Sequence, residues 1–260
     1  MISKFGDLTI SGLVTKIGIY LFAMPWLVIG LQHFIYAPFV QTLVPSLIPF
    51  KLFWVLLTGT AMIGAGLSLV LNLQMKMATR LLSTMLLIFI MLVHLPILTS
   101  SSSALINWIR ATQDIGLMAT ALMLTGRKNI VNAGIIIFGF ALAVQGFQHF
   151  LNPSFITACI PVYFPSPKLL NAIVAVLLII TGLCIITGRS RFLAAVLLAG
   201  LILILSLLNY LPLIISNVSY GQHWTGLFLD VGLAGGACIS GGLAIKPTQT
   251  FPFEILKVNG

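Results

Sequence analysis

Eight apolar runs, each close to twenty residues long, leave this chain few folds to choose from. They cover residues 12–33, 52–72, 79–98 and 107–126 in the first half, and 130–150, 169–187, 191–214 and 223–245 in the second. A helix rises about 1.5 Å per residue, so roughly twenty residues cross the ~30 Å hydrocarbon core of a bilayer. The runs are continuous rather than alternating, which speaks against the strands of a membrane barrel. A helix also satisfies its own backbone polar groups in lipid, where water cannot. Only 7% of the 260 residues are charged and 59% are hydrophobic, whereas about 25% charged is usual for a soluble domain. The expected fold class is therefore an all-α membrane protein with eight transmembrane helices.

The halves repeat each other. "GLQHF" at 30–34 returns as "GFQHF" at 146–150, an offset of 116 residues. The same offset relates Gly18 to Gly134, Phe39 to Phe155, Pro45 to Pro161 and Pro49 to Pro165. It also relates Gly66 to Gly182, Leu95-Pro96 to Leu211-Pro212, Trp108 to Trp224, Asp114 to Asp230 and Gly126 to Gly242. One offset held along the whole chain indicates a duplicated unit. The expected organisation is a first four-helix unit over 1–126, a second over 127–245, and a polar, proline-containing tail over 246–260. Four spans per unit is an even number, so both units insert the same way round. They are then two four-helix bundles related by an axis along the membrane normal, like a fused symmetric dimer.

Charge gives the orientation. Counting spans places Lys4, Lys16, Lys76, Arg80, Arg127, Lys128, Arg189, Arg191, Lys246 and Lys257 on the side of the N-terminus, and Lys51, Arg110 and Lys168 on the other. Ten against three puts both termini in the cytoplasm of a bacterial inner membrane. The net charge of +9 is accounted for by these flanking residues, and no basic run points to nucleic acid. Cys159, Cys184 and Cys238 have no CxxC spacing, so no disulfide framework or redox motif is expected; Cys184 and Cys238 read as apolar filler. No small-residue cleavage site follows the first apolar run, so the first span is expected to be retained rather than removed as a signal peptide. The Gly-rich stretches 59–66 and 232–242 read as close helix-packing faces.

The repeated polar residues gather toward one end of the bundle. Gln32-His33 and Gln148-His149 close the first helix of each unit, His94 and its counterpart Tyr210 lie near the end of the third, and Trp108 and Trp224 begin the fourth. Asp114 and Asp230 follow those tryptophans by six residues, and they are two of only four acids in the chain. A carboxylate at the centre of a membrane helix costs about 2.5–3.5 kcal/mol, so it faces a bundle interior and finds a partner. Two readings stand. Asp114 and Asp230 are structural, bonded to a neighbouring glutamine or histidine or, for Asp114, to Arg110 one turn away; or, with His33 and His149, they bind a polar ligand or move a proton. The tryptophans belong by default to the membrane interface. A bis-histidine haem through His33 and His94 is disfavoured because Tyr210 replaces the axial histidine in the second unit, and no metal set is expected. The apolar, Pro-rich connections 34–51 and 150–168 are expected to lie on the interface and roof the polar cluster.

This set of motifs resembles the DoxX-like membrane protein family. The features are G-x-Q-H-F closing the first span, "APFVQTLVPSLIPF", a Gly-rich second span, "HLP" closing the third and W-x5-D-[IV]-G-L in the fourth, matched in the second unit except that Tyr210 replaces the histidine of "HLP". The resemblance implies a four-helix bundle in each unit and quinone-linked redox chemistry, with a redox partner protein in a membrane complex. It assigns no catalytic residue. The expected function is a quinone- or lipid-binding redox accessory with a polar pocket in each unit. The alternatives are a small-solute permease, against which all repeated polar residues lie on one side, and a non-catalytic membrane scaffold for a partner protein.

Overall fold

The computed structural model describes residues 9–100 and 104–244, and these form helices and connections with no strand. In chain order the helices are α1 (Ile10–Ile35), α2 (Ala37–Leu43), α3 (Lys51–Val70), α4 (Met75–Phe89), α5 (Leu95–Ser100), α6 (Leu105–Met123) and α7 (Lys128–Leu151), followed by α8 (Pro153–Cys159), α9 (Pro167–Thr187), α10 (Arg191–Ser216) and α11 (Gly221–Gly242). A single π-helical turn, Ile90–His94, joins α4 to α5. The expected tail over 246–260, Lys4, Lys246 and Lys257 lie outside the described residues.

The helices begin and end where local chemistry allows. Thr9 caps α1 by accepting from the Gly12 N–H at 3.3 Å, which satisfies one of the unpaired donors of the first turn. Proline stands in the first turn of α2, α8 and α9, where its missing N–H is not needed. Gly188 ends α9 in the left-handed region at φ +78°, the conformation that favours glycine at a helix stop. The two apolar connections are not irregular throughout, as a roofing loop would be. Each folds a short helix, α2 or α8, across the bundle end.

Seven helical stretches among the described residues are long and apolar enough to cross a membrane: α1, α3, Met75–Thr99, α7, α9, α10 and α11. The chain is on this basis an integral membrane protein. The eighth expected span, α6, is a 19-residue helix, but Asn107, Arg110, Thr112, Gln113 and Asp114 lower its apolar content. Part of its polar face is turned inward, Thr112 and Gln113 being buried and Asn107, Arg110 and Asp114 partly so. Ala111, Thr112, Gln113, Gly116, Leu117 and Ala119 are all buried among neighbouring helices.

The helices close into a circuit. Each of α1, α3, α4, α6, α7, α9, α10 and α11 packs on the next, and α11 returns to α1. The centre is the contact of α6 with α11. The fourth helix of each half thus packs extensively on the first helix of the other half: α11 on α1, and α6 on α7. Neither half is a bundle closed on itself.

Glycines set these contacts. A Cβ on Gly18 would lie 2.8–2.9 Å from Gly235, Cys238 and Ile239 of α11, and one on Gly134 would lie 2.7–3.0 Å from Ala119, Leu122 and Met123 of α6. The two sets of neighbours are themselves 116 residues apart. Gly30 meets Gly59 and Ile63 as Gly146 meets Ala175 and Ile179, again at the same offset. Without a hydrophobic drive between helices in lipid, such close approach supplies the dispersion contacts that hold them. The remaining surface is apolar: Leu81, Phe140, Leu197 and Ile204 are exposed, as hydrocarbon contact requires.

Candidate functional site

The two buried acids have different partners. On the first-half side, the His94 Nε2 donates to Asp114 Oδ2 at 2.7 Å. The π turn ends at His94 and precedes Pro96, whose ring and missing N–H disfavour a regular turn. Proline alone does not account for that turn, because Pro212 occupies the matching place inside an unbroken α10. The His94–Asp114 bond is the difference that accompanies it. Arg110 does not pair with Asp114; its Nη1 donates to Gln113 Oε1 at 3.1 Å.

In the second half no histidine meets the acid. Asp230 Oδ2 accepts from Ser206 Oγ at 2.7 Å, and its Oδ1 accepts from Gln113 Nε2 at 3.1 Å. Tyr210, which stands where His94 does, lies against Gly226, and it does not line the cavity described below. The expected pairings of His33 with Asp114 and of His149 with Asp230 are not formed. His33 Nδ1 is 2.8 Å from its own helix carbonyl at Ile29, and His149 Nδ1 is 2.7 Å from Asn171 Oδ1. His33 is thus satisfied within its own helix, whereas His149 takes a partner from α9 and His94 takes one from α6.

The glutamines of the repeated motif join the halves. Gln32 Nε2 donates to Gly221 O at 2.9 Å and its Oε1 accepts from Thr225 Oγ1 at 2.8 Å, tying α1 to α11. Gln148 Nε2 donates to Thr112 Oγ1 at 2.9 Å and to Trp108 O at 3.3 Å, tying α7 to α6. Each uses a carbonyl and the threonine four residues later. In the second case the amide oxygen is left over: Gln148 is 6% exposed, and its Oε1 has no hydrogen-bond partner among the described residues. Trp224 Nε1 donates to Val218 O, and its ring stacks on Phe228, so it anchors its own helix. Trp108 contributes the carbonyl that Gln148 uses.

A cavity of about 250 Å³ lies in the second half. Its polar wall takes Gln145, Gln148 and His149 from α7 and Asn171 from α9. Ser206 and Asn209 face them from α10, with Asp230 of α11 and Gln113 of α6 between. Farther along, Leu178, Leu198, Leu201 and Leu233 make it apolar, and Ile156, Pro161 and Phe164 of the α8 connection cover its head. Tyr163 OH donates to Leu208 O and pins that connection to α10. Cys159, exposed, also lines it.

Of the residues singled out by repetition, Gln148, His149 and Asp230 reach this cavity; Gln32, His33, His94, Trp108, Asp114, Tyr210 and Trp224 do not line it. Gln113, Gln145, Asn171, Ser206 and Asn209 were not anticipated. Four of them break the repeat: the first half has Ile29, Val55, Ile90 and Val93 where the second has Gln145, Asn171, Ser206 and Asn209. A polar residue inside an apolar helix, at a place where its twin is apolar, was the available signal.

The His94–Asp114 pair predicts a measurable coupling. Removing one partner of a largely buried pair leaves the other uncompensated and costs about 3–5 kcal/mol at full burial, while removing both costs less. His94→Ala and Asp114→Ala are each expected to lower thermal stability by about 2 kcal/mol or more, and the double variant by less than the sum of the two. Strict additivity in a double-mutant cycle would show that the pair is not coupled.

No family model, curated protein or solved structure matches this chain.

Proposed function

We propose that the protein is a tandem, eight-span membrane protein of DoxX-like type whose second half binds the head of a membrane amphiphile. Matched glycine contacts at the 116-residue offset support the duplication, and the position of α6 between α4, α7 and α11 supports an eighth span. In this reading both termini face the cytoplasm, and the cavity lies toward the outer leaflet. The observation that carries the binding function is the shape of the cavity's polarity: a polar group of side chains at the covered end continues into a leucine-lined slot between α9 and α10. A small polar solute has no use for the slot, and a plain acyl chain has none for the polar end. An amphiphile fits both. Membrane lipids and quinones are the amphiphiles available there, and a quinone-type ligand would make the protein an accessory to a redox partner.

The halves divide the work. The first keeps the helix framework, replaces four polar wall residues by Ile and Val, and bonds its acid to His94. The second keeps its acid accessible to a ligand. Transferred from its native membrane into phosphatidylcholine nanodiscs, the wild-type protein is expected to carry one co-purified amphiphile per chain other than phosphatidylcholine, read by native mass spectrometry. Leu205→Trp, which fills the slot, is expected to lose it. Equal retention by both, or none by the wild type, would reject the reading.

A further inference from the structure

We infer that the cavity of the second half selects a head that donates hydrogen bonds through hydroxyl groups, in preference to anionic and acceptor-only heads. This rests on the amphiphile reading above and narrows its ligand class.

What the cavity can hold follows from which of its polar atoms are already committed. Gln148 cannot be turned end for end, because its Nε2 donates to the Trp108 carbonyl, which accepts only. Its buried Oε1 is therefore a true unpaired acceptor, and such an atom is costly to leave unmade. Asn171 is fixed in the same way: its Nδ2 donates to His149 O at 3.1 Å, so the end that meets His149 Nδ1 at 2.7 Å is the oxygen. The imidazole proton then sits on Nδ1, and Nε2 of the neutral ring is left as an acceptor. Asp230 accepts two hydrogen bonds, whereas a carboxylate has about four lone-pair sites. His149 and Asp230, which line the cavity, thus keep acceptor sites unfilled, as does the more deeply buried Gln148 oxygen beside them.

Several nearby donors are already engaged, which leaves the amides of Gln145 and Asn209 as the free ones. Ser206 and Gln113 donate to Asp230, and the Arg110 guanidinium is turned to Gln113 Oε1. Asn209, whose Oδ1 is unpaired, can present either end of its amide. A phosphate entering here would face the Asp230 carboxylate without an arginine or lysine lining the cavity. A ketone or ether oxygen would accept from the Asn209 or Gln145 amide and leave the His149 and Asp230 acceptor sites unfilled. A hydroxyl group donates to one of them and still accepts from Asn209 or Gln145. The first half shows what a closed account looks like: both ends of Gln32 are bonded within the protein.

Hydroxyl heads come from two sources, glycerides and hydroquinones, and the test separates them. Binding is measured in phosphatidylcholine nanodiscs, since sugar detergents bring hydroxyl heads of their own. The probes are 1-monopalmitoylglycerol, dodecylhydroquinone, their O-methylated counterparts and hexadecyl phosphate. At least one hydroxylated probe is expected to bind tenfold or more tightly than its methylated partner, with hexadecyl phosphate weaker than either, and the tighter of the two identifies the source. Asp230→Asn is expected to bring that ratio below threefold, and Asn209→Val serves if the first variant does not fold. Equal binding of methylated and hydroxylated probes, or preference for the phosphate, would overturn this inference and leave the amphiphile reading standing. No binding by any probe would remove both.

Discussion

Leucine at Gly146 is expected to cost the protein its fold. A Cβ there would stand 2.6 Å from the Ala175 carbonyl and 2.7 Å from Ile179 Cγ1. Ala175 is fully buried in α9, and a backbone carbonyl inside a helix cannot turn aside as the end of a side chain can. The remaining response is separation of α7 from α9, which opens the most closely packed pair of the second half and moves Asn171 away from His149. Overpacking a rigid contact costs about 1–3 kcal/mol and more where nothing gives. The expected loss is at least about 3 kcal/mol, which at this chain length corresponds to a fall of roughly 10 °C in Tm. Gly200→Leu is the control, because nothing lies within 4 Å of a Cβ at that site. Thermal unfolding in nanodiscs checks both, and an unchanged Tm for Gly146→Leu would show that these helices are not held at the distance described.

The second large effect is on binding. Replacing Gln145 by Ile, Asn171 by Val, Ser206 by Ile and Asn209 by Val gives the second half the residues its twin already carries. The first half shows that the same helix framework accepts those side chains, so the variant is expected to fold. Asp230 keeps its bond from Gln113, while His149 loses the asparagine that orients it. Each lost polar contact in a buried site is worth about 1 kcal/mol, so four together are expected to weaken amphiphile binding by at least a hundredfold. A variant that folds and binds as the wild type does would place the ligand elsewhere.

Much of the framework was legible in the sequence. All eight apolar runs became helices whose ends fall within a few residues of expectation, because length and continuity of apolar residues are strong constraints in lipid. The glycines at 18, 30, 134 and 146 mark the close contacts. Which helix would meet which was not legible: an apolar face looks the same whether its neighbour belongs to its own half or the other. Repetition was also a poor guide to the site. It drew attention to His33, Trp108 and Trp224, residues that hold helix ends, and away from Asn171 and Ser206, which a search for agreement between halves discards. Gln148 shows what repetition did report: like Gln32 between α1 and α11, it joins α7 to α6.

The circuit of helices has a consequence for where the chain is allowed to be cut. Gly242 at the end of α11 packs directly on Ser11 and Thr15 at the start of α1, just as α6 delivers the chain to α7 after a short turn. The two junctions are interchangeable in kind. A circular permutant, opened at Arg127 and sealed between the old termini, would preserve every interhelical contact described above while exchanging the order in which the ribosome makes the two halves.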